Sequence, residues 1–318
     1  MDFSGMSIAG GVSIVPPAAA SGNKAIFGYG SIAGVQTSIT NLVSNTGVVA
    51  ADTTGVGTAR ELLAAAGYGT DKAIFGYGST NGAVSALVSM TNLVSNTGVV
   101  ATDTTGVGTA RLGLAAAVYG TDKAIFGYGN NGTGSVTAVT NLVSNTGIVA
   151  TNTTGVGTAR GSPAAAGYGG DKAIFGYGRT SAAGTLSMTN LVSNTGVVAT
   201  DTTGVGTARQ KLAAATYGTD KAIFGYGTTD TGGTQVSMTN LVSNTGVVAT
   251  DTTGVGTARN GLAAAGYGTD KAIFGYGATN IGSAVVSMTN LVSNTGVVAT
   301  DTTGVGTARD GLAAAAYG

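Results

Sequence analysis

The chain contains no cysteine, no histidine and no tryptophan among its 318 residues. Without cysteine it can form neither a disulfide nor a thiolate site, and without histidine it lacks the commonest general base and metal ligand. Only 9% of the residues are charged, and 14 basic residues balance 14 acidic ones. No run of Lys or Arg is present to neutralise a phosphate backbone, so we expect no nucleic-acid partner. We also expect no bound cofactor.

Long apolar runs are missing as well. No stretch reaches the roughly twenty apolar residues that a membrane helix requires, so we expect no membrane insertion. The first residues are interrupted by glycine and carry no Lys or Arg before Lys24. Because a secretory signal has a basic start and a continuous apolar stretch, we expect a chain that is not exported by that route.

Glycine and internal repetition are what the chain has in abundance. It contains 56 glycines, and the segment KAIFGYG begins at residues 24, 72, 123, 172, 221 and 271. Successive copies are therefore 48, 51, 49, 49 and 50 residues apart. A period of about fifty residues indicates units that stack on one another in one body. We predict one domain over residues 23–318, preceded by an N-terminal arm of residues 1–22.

Each unit divides at its turn residues into four short segments, which are defined here on the second unit. Segment a is LLAAAGY (62–68), segment b is KAIFGYG (72–78), segment c is VSMTNLVS (88–95) and segment d is VVATDTT (99–105). Short apolar runs bounded by turn signals predict β-strands. Three or four alanines between glycines are too few to nucleate a helix. We therefore predict a four-stranded antiparallel meander for each unit.

A four-stranded sheet of this size cannot bury both of its faces alone, so the units must pack face to face. About fifty residues with four strands is typical of a propeller blade, whereas a β-helix, the alternative, has shorter coils. The chain starts its repeats with segment b at Lys24 and ends with an extra segment a, residues 308–318. We predict an all-β fold, a closed six-bladed β-propeller of four-stranded antiparallel blades whose first blade is completed by the C-terminal strand. The segment PPAAASGN (16–23) resembles a segment a and competes for the same place.

The unit resembles a Kelch repeat over roughly residues 24–318. Arg60, the alanines at 64–66 and the run IFGYG at 74–78 follow the Kelch order of Arg, small residues and an apolar strand that ends in glycines with an aromatic. The chain has GYG where the family usually has GG, and its last strand lacks Trp. The unit is also similar to Gly-rich, Kelch-like repeats of bacteriophage tail and particle proteins. This resemblance implies a structural component of a virion.

Differences between the units gather in the b-to-c loops and in the two residues after each repeated Arg. In an up-and-down meander both places lie at the same end, whereas the SNTG turns at the other end scarcely change. Relaxed constraint at loop tips explains some of this variation. A contact with a partner that is not sixfold explains why only one end varies. This candidate contact face contains Glu61, Asp310, Arg179, Lys211, Asp230, Asn130, Asn131 and Asn280.

The N-terminal arm is a second candidate contact. It is apolar and rich in glycine, which suits docking on another subunit, although a disordered tail is the alternative. Its candidate docking side chains are Phe3, Met6, Ile8, Val12, Ile14 and Val15.

These features indicate two functions from different classes. The first is a structural or adaptor protein of a virus particle, made in the host cytoplasm, which contacts other structural proteins of the assembly or attaches to a host-surface glycan or protein. The second is a carbohydrate-binding lectin that uses the b-to-c loops. Nearly every ionisable group recurs in the same setting in each unit, whereas an active site needs differently tuned groups at one place, so we expect no enzymatic activity. Each Asp-containing turn offers one carboxylate, too few for a calcium site.

Overall fold

A computed structural model of the chain describes residues 23–132, 135–182, 184–229, 233–279 and 284–318. Within these residues the protein is all-β, with seven antiparallel sheets. Six of the sheets have three strands each and share one arrangement, in which strand b lies between strands a and c. We number them sheets 1 to 6 by the order of strand b in the chain.

The strands are shorter than the predicted segments. Strand a comprises Ala64–Tyr68, Ala115–Tyr119, Ala164–Tyr168, Ala213–Tyr217, Ala263–Tyr267 and Ala313–Tyr317. Strand b comprises Lys24–Gly28, Lys72–Gly76, Lys123–Gly127, Lys172–Gly176, Lys221–Gly225 and Lys271–Gly275. Strand c comprises Thr40–Val43, Thr91–Val94, Thr140–Val143, Thr189–Val192, Thr239–Val242 and Thr289–Val292. Two b-to-c loops have regular structure of their own, a hairpin of Ser31–Ile32 with Val35–Gln36 and a 3-10 turn at Val84–Ala86.

The two ends of the repeated region meet in sheet 1. Strand a of this sheet is the last strand of the chain, Ala313–Tyr317, and it pairs with the first, Lys24–Gly28. In the register, Tyr317 lies opposite Lys24 and Ala313 lies opposite Gly28, as Tyr68 lies opposite Lys72 in sheet 2. The C-terminal strand therefore completes the sheet that begins with Lys24–Gly28, as predicted, whereas residues 16–22 lie outside the described residues.

Segment d differs from the prediction of a fourth regular strand. In sheet 2 it touches strand c through two isolated bridges, Thr91 with Thr104 and Val94 with Val100, whose registers differ by one residue. The extra residue forms a bulge, which interrupts the ladder. The side-chain amide of Asn92 fills the interruption and donates to the carbonyl of Ala101 at 2.9 Å. Each unit therefore has three regular strands and a bulged edge segment.

Hydrogen bonds between the sheets run in closed cycles. The backbone N–H of Gly78 in sheet 2 donates to the carbonyl of Arg111 in sheet 3, and equivalent bonds continue to Gly277 of sheet 6, which donates to Arg309 of sheet 1. Strand a of each sheet also contacts strand a of the next, including sheet 6 with sheet 1. Each sheet therefore has a neighbour on both faces.

The core lies between the faces of neighbouring sheets. The Phe75 ring of sheet 2 packs on the Tyr29 ring of sheet 1 with ring centroids 5.1 Å apart, and both side chains are fully buried. The next sheet approaches so closely that a Cβ at Gly76 would lie 2.8 Å from Cζ of Phe126. Because real Cβ atoms do not tolerate that distance, this position requires glycine and the sheets pack tightly.

The six copies of strand a surround an apolar cavity of about 80 Å³ lined mainly by alanine. At its fourth position strand a alternates between glycine and a larger residue around the cycle: Gly67, Val118, Gly167, Thr216, Gly266 and Ala316. A Cβ at Gly167 would lie 3.2 Å from Oγ1 of Thr216, and this hydroxyl donates to the Gly167 carbonyl at 2.9 Å. A Cβ at Gly67 would likewise lie 3.4 Å from Cγ2 of Val118, so Val118 and Thr216 each lean over a neighbour that has no side chain.

The two ends of the molecule differ in their variability. The a-to-b turns lie beside the c-to-d turns: Asn145 Nδ2 of a c-to-d turn donates to Oδ2 of Asp122 at 3.1 Å. We call this the turn end. At the other end, the residue after each repeated Arg pairs with the start of the b-to-c loop, as in the bridge between Glu61 and Ser79. We call this the variable end. The bridge shows that the two variable places lie together, as predicted.

Candidate functional site

The repeated Arg side chains are fully buried between the sheets. In sheet 2, Arg60 donates through Nε to the Tyr77 carbonyl at 2.9 Å, through Nη1 to the Thr58 carbonyl at 3.0 Å and through Nη2 to Oδ1 of Asn92 at 2.6 Å. Its guanidinium carbon lies 4.3 Å from the centroid of the Tyr29 ring of sheet 1. A buried cation that has these acceptors and a π face on one side is well satisfied, so the Arg ties two sheets together.

An Asp of segment d completes this cluster. Asp103 lies 3.8 Å from Nη1 of Arg60 and accepts from the Thr58 hydroxyl at 2.6 Å and from Asn92 Nδ2 at 2.9 Å. Partial burial raises the pKa of Asp103, but the bonds from Thr58 and Asn92 together with the Arg60 charge outweigh it and hold the pKa below its ordinary value. The carboxylate therefore clamps the connection that leads into strand a.

One unit departs from this arrangement. Asn152 occupies the Asp position facing Arg111, where its Oδ1 accepts from the Thr109 N–H at 3.1 Å and its Nδ2 donates to the Thr109 hydroxyl at 2.7 Å. The bonds to the connection are kept while the negative charge is lost. This unit therefore provides a natural comparison with the other five.

Asn152→Asp is expected to stabilise the protein by about 1 kcal/mol at about pH 7, because it restores a charged acceptor beside a buried Arg. The folded-state pKa values of the equivalent aspartates are lowered. A group with a depressed pKa contributes stability above its unfolded pKa of about 3.9 and loses it as the pH falls through the folded value. Thermal unfolding measured from about pH 7 down to about pH 3 should show the gain vanish at the acidic end. Asn131→Asp is the control, and an equal gain from it, or a gain that persists in acid, contradicts the clamp.

The Tyr of each GYG has a left-handed backbone. Tyr77 has φ of 66°, and the other five copies have φ between 63° and 64°. A bulky residue pays about 1–3 kcal/mol for this conformation. The side chain offsets the cost by reaching into the next sheet, where its ring lies 4.5 Å from the Arg111 guanidinium and its hydroxyl donates to the Val107 carbonyl at 3.1 Å. The Tyr of each GYG therefore makes a contact between neighbouring sheets.

The variable end is organised by a ring of six backbone hydrogen bonds. The ring residue is the second after each repeated Arg, and each N–H donates to the carbonyl of the previous member at 2.7 to 3.1 Å. The members are Leu62, Gly113, Ser162, Lys211, Gly261 and Gly311, and the N–H of Leu62 donates to Gly311, which closes the ring. All six have φ between 52° and 61°. The backbone of the ring is thus the same in all six units while its side chains differ.

The ring surrounds an opening above the cavity that is lined by the six copies of strand a. This opening has a volume of about 70 Å³ and is lined by the ring residues together with the residue that follows each of them, which is Leu in five units and Pro163 in the sixth. The leucines are buried. The mouth therefore has an apolar wall with side chains of the variable residues at its rim.

An acidic pair lies at this rim. Asp310 of sheet 1 is half-buried, and burial together with the negative charge of Glu61 in the adjacent sheet raises the pKa of Asp310 against the opposing effect of Lys211. Oε1 of Glu61 accepts from Nε2 of Gln36, a residue of the sheet 1 hairpin, at 3.1 Å. Lys211 is exposed. The structure thus brings Glu61, Asp310 and Lys211 to one end, with two acids against one base.

The other candidate face residues have different positions. Arg179 is half-buried and bridges Gly161 and Thr185 through its backbone. Asn130 is buried, and its Oδ1 accepts from the Gly132 N–H at 3.1 Å, so its side chain holds the loop. Asn131 is half-buried in the same loop. Asp230 and Asn280 lie outside the described residues, as do the arm residues Phe3, Met6, Ile8, Val12, Ile14 and Val15.

No group of three or more acidic residues that could hold a metal ion occurs within the described ranges. In the same ranges no helix has the length and apolar character needed to cross a membrane.

Comparison with known proteins gives a likeness in fold only. No family model matches the chain, and no curated protein matches it. Among solved structures the chain is similar to YjhT, with a TM-score of 0.65 and 13% sequence identity over 87% of this chain and 95% of that one. At this identity the similarity concerns architecture. Together with the repeated three-stranded sheets it identifies the chain as a repeated β-sheet fold of propeller-like type.

Proposed function

We propose that the chain is a closed six-bladed β-propeller of the Kelch-like kind and serves as a structural adaptor in a virion, with the variable end as its contact face. Its partners are other structural proteins of the particle or a host-surface molecule, and its role is binding without catalysis. In this proposal the N-terminal arm is a second attachment point.

Closure and blade number are supported by the hydrogen-bond cycles. Sheet 6 bonds to sheet 1 through the same Gly-to-Arg backbone bond that joins the other neighbours. The pairing of Ala313–Tyr317 with Lys24–Gly28 leaves no unpartnered edge on strand b of sheet 1. Six sheets joined in this way agree with six blades around an axis.

A single observation carries the functional proposal: in the ring of the variable end, side chains differ on a backbone that is uniform. The ring of Leu62, Ser162 and Lys211 with three glycines has one geometry in all six units, so folding does not require those different side chains. Loops on a rigid scaffold are where proteins place binding residues. Two acids on one side of the mouth and Lys211 on another make a face that suits an asymmetric partner.

Copurification with particles tests the adaptor role. The double variant Arg179→Glu with Lys211→Glu is expected to weaken capture of the full chain on particles by at least ~10-fold, about 1.4 kcal/mol. The control is Thr200→Glu with Thr250→Glu, exposed residues of segment d in the same two sheets, which should bind normally. Equal capture of both variants removes the contact face from the proposal.

Two further measurements separate the alternatives. If the arm attaches the protein, deleting residues 1–22 should reduce its incorporation into particles. If this deletion abolishes capture while the variants of the variable end are captured normally, the arm makes the main contact. A glycan array with the full chain distinguishes the lectin hypothesis. The described aromatic side chains are all buried, so we expect no glycan signal, and clear sugar binding with no particle association overturns the adaptor role in favour of the lectin.

A further inference from the structure

The turn end displays a ring of exposed aliphatic side chains. The residue after each SNTG turn is aliphatic in all six units and is between 65% and 69% exposed. These residues form the aliphatic ring: Val48, Val99, Ile148, Val197, Val247 and Val297. They account for six of the nine large hydrophobic residues that are exposed in the described part of the chain.

Folding does not explain these side chains. The turn before Val48 is held by its backbone, with the Ser44 N–H donating to the Val48 carbonyl at 2.9 Å, and by the Ser44 hydroxyl, which accepts from the Val48 N–H at 3.0 Å. The next residue, Val49, is the one that packs into the core. A polar residue at position 48 would leave all of these contacts in place. The single departure among the six units, Ile148, is also aliphatic.

Five of the six lysines at the turn end are paired with the Asp that precedes them, and the sixth, Lys24, follows Asn23. Lys72 lies 2.8 Å from Asp71, and four more Lys–Asp pairs at 2.9 to 3.3 Å repeat this arrangement around the axis. The Lys side chains are 43% to 45% exposed. A surface of alternating charges has little attraction for a strongly charged partner, but it is complementary to a rotated copy of itself.

We infer that the turn end binds the turn end of a second copy of this chain. A partner that offers six apolar contacts in the same arrangement, with opposite charges beside them, fits this surface, and the same end of another molecule has both properties. The two copies then meet through an isologous interface, with aliphatic rings in contact and Lys of one copy beside Asp of the other. Such a pair leaves both variable ends facing outward.

Sedimentation velocity of the full chain over a range of micromolar concentrations tests the inference. We expect a monomer–dimer equilibrium without larger species. Val99→Lys, Val197→Lys and Val297→Lys together are expected to raise the dimer dissociation constant at least ~10-fold, since they place three cations on the interface. Val35→Lys is the matched control, because Val35 is 70% exposed in the sheet 1 hairpin at the variable end.

A second variant guards against misfolding. Replacement of the same three valines by Thr keeps their shape and adds no charge, and it should weaken the dimer while the far-UV spectrum stays native. A wild-type chain that is monomeric throughout overturns the inference. So does a dimer that Val35→Lys weakens as much as the ring variants do. If the full chain is monomeric and dimerises only after residues 1–22 are deleted, the aliphatic ring is covered by the arm of its own chain, and the inference is also overturned. The adaptor role is tested separately, at the other end.

Discussion

A chain that ends at Leu312 is expected to lose cooperative folding. The deletion removes Ala313–Tyr317, so it exposes the backbone of Lys24–Gly28 along a full strand and opens the contact between sheets 1 and 2. It also removes the bond from the Gly318 N–H to the Asp71 carbonyl, which belongs to a cycle of six such bonds at the turn end. Because proteins of this kind have a total stability of only about 5–15 kcal/mol, we expect the loss to exceed about 5 kcal/mol.

Thermal and urea unfolding followed by far-UV circular dichroism measure this effect. Deletion of residues 1–22 is the control, and it should leave the midpoint within a few degrees of the full chain. A circular permutant provides the complementary test. The Asn23 N–H donates to the Gly318 carbonyl at 2.8 Å, so a short linker can join residues 318 and 23, with new ends between Ser181 and Gly184. This permutant retains every strand and should fold. A truncated chain with a native midpoint contradicts the sealing role of the last strand.

Replacing Arg60 with Met is expected to destabilise the protein by about 3–5 kcal/mol. The substitution keeps much of the side-chain length but leaves Oδ1 of Asn92 and the Tyr77 carbonyl buried without their donor. Both groups then pay the cost of burial without a partner, about 1–3 kcal/mol each. The Tyr29 ring also loses the cation above its face.

Urea unfolding gives the free energy directly, and the same substitution elsewhere serves as the control. Arg179→Met changes a half-buried side chain at the variable end and is expected to alter stability by less than about 0.5 kcal/mol. Arg160→Met should cost less than Arg60→Met, because Nε and Nη2 of Arg160 and Oδ1 of Asn190 lack the bonds that their counterparts in sheet 2 make. Equal effects of Arg60→Met and Arg179→Met would falsify the role of the buried cluster.

Strands a and b could be predicted from the residues alone because their signals are local. Turn residues such as Gly69 and Asp71 bound the apolar runs, and the repeat shows the same boundaries six times. The pairing of residues 313–317 with the first strand was predictable for a related reason. The last segment a of the chain has no segment b after it, and the first segment b has no regular segment a before it.

The buried cluster could not be predicted in this way. Arg60, Asn92, Asp103 and Tyr29 are far apart in the sequence and belong to two sheets, so their contacts depend on how the sheets face one another. The sequence shows Arg60 only as one member of a repeated pattern and gives no sign that its side chain is buried. The available signal was that an Arg, the Asn of TNLV and the Tyr of GYG occur together in every unit.

Segment d and the variable loops show the limits of local patterns. VVATDTT has the composition of a strand, but the Asn92 amide competes for the backbone carbonyl of Ala101 and a bulge results. Asn130 belongs to a polar loop and resembles a surface residue, yet it is buried because its side chain supplies a bond that the loop backbone needs.

The alternation at the fourth position of strand a limits how the gene for this protein can grow or shrink. Insertion or loss of one unit puts two bulky residues, or two glycines, side by side around the axis, as it would if Thr216 stood next to Val118 without Gly167 between them. A change by two units restores the partners. We therefore expect duplication of units in pairs to keep this alternation and duplication of a single unit to break it.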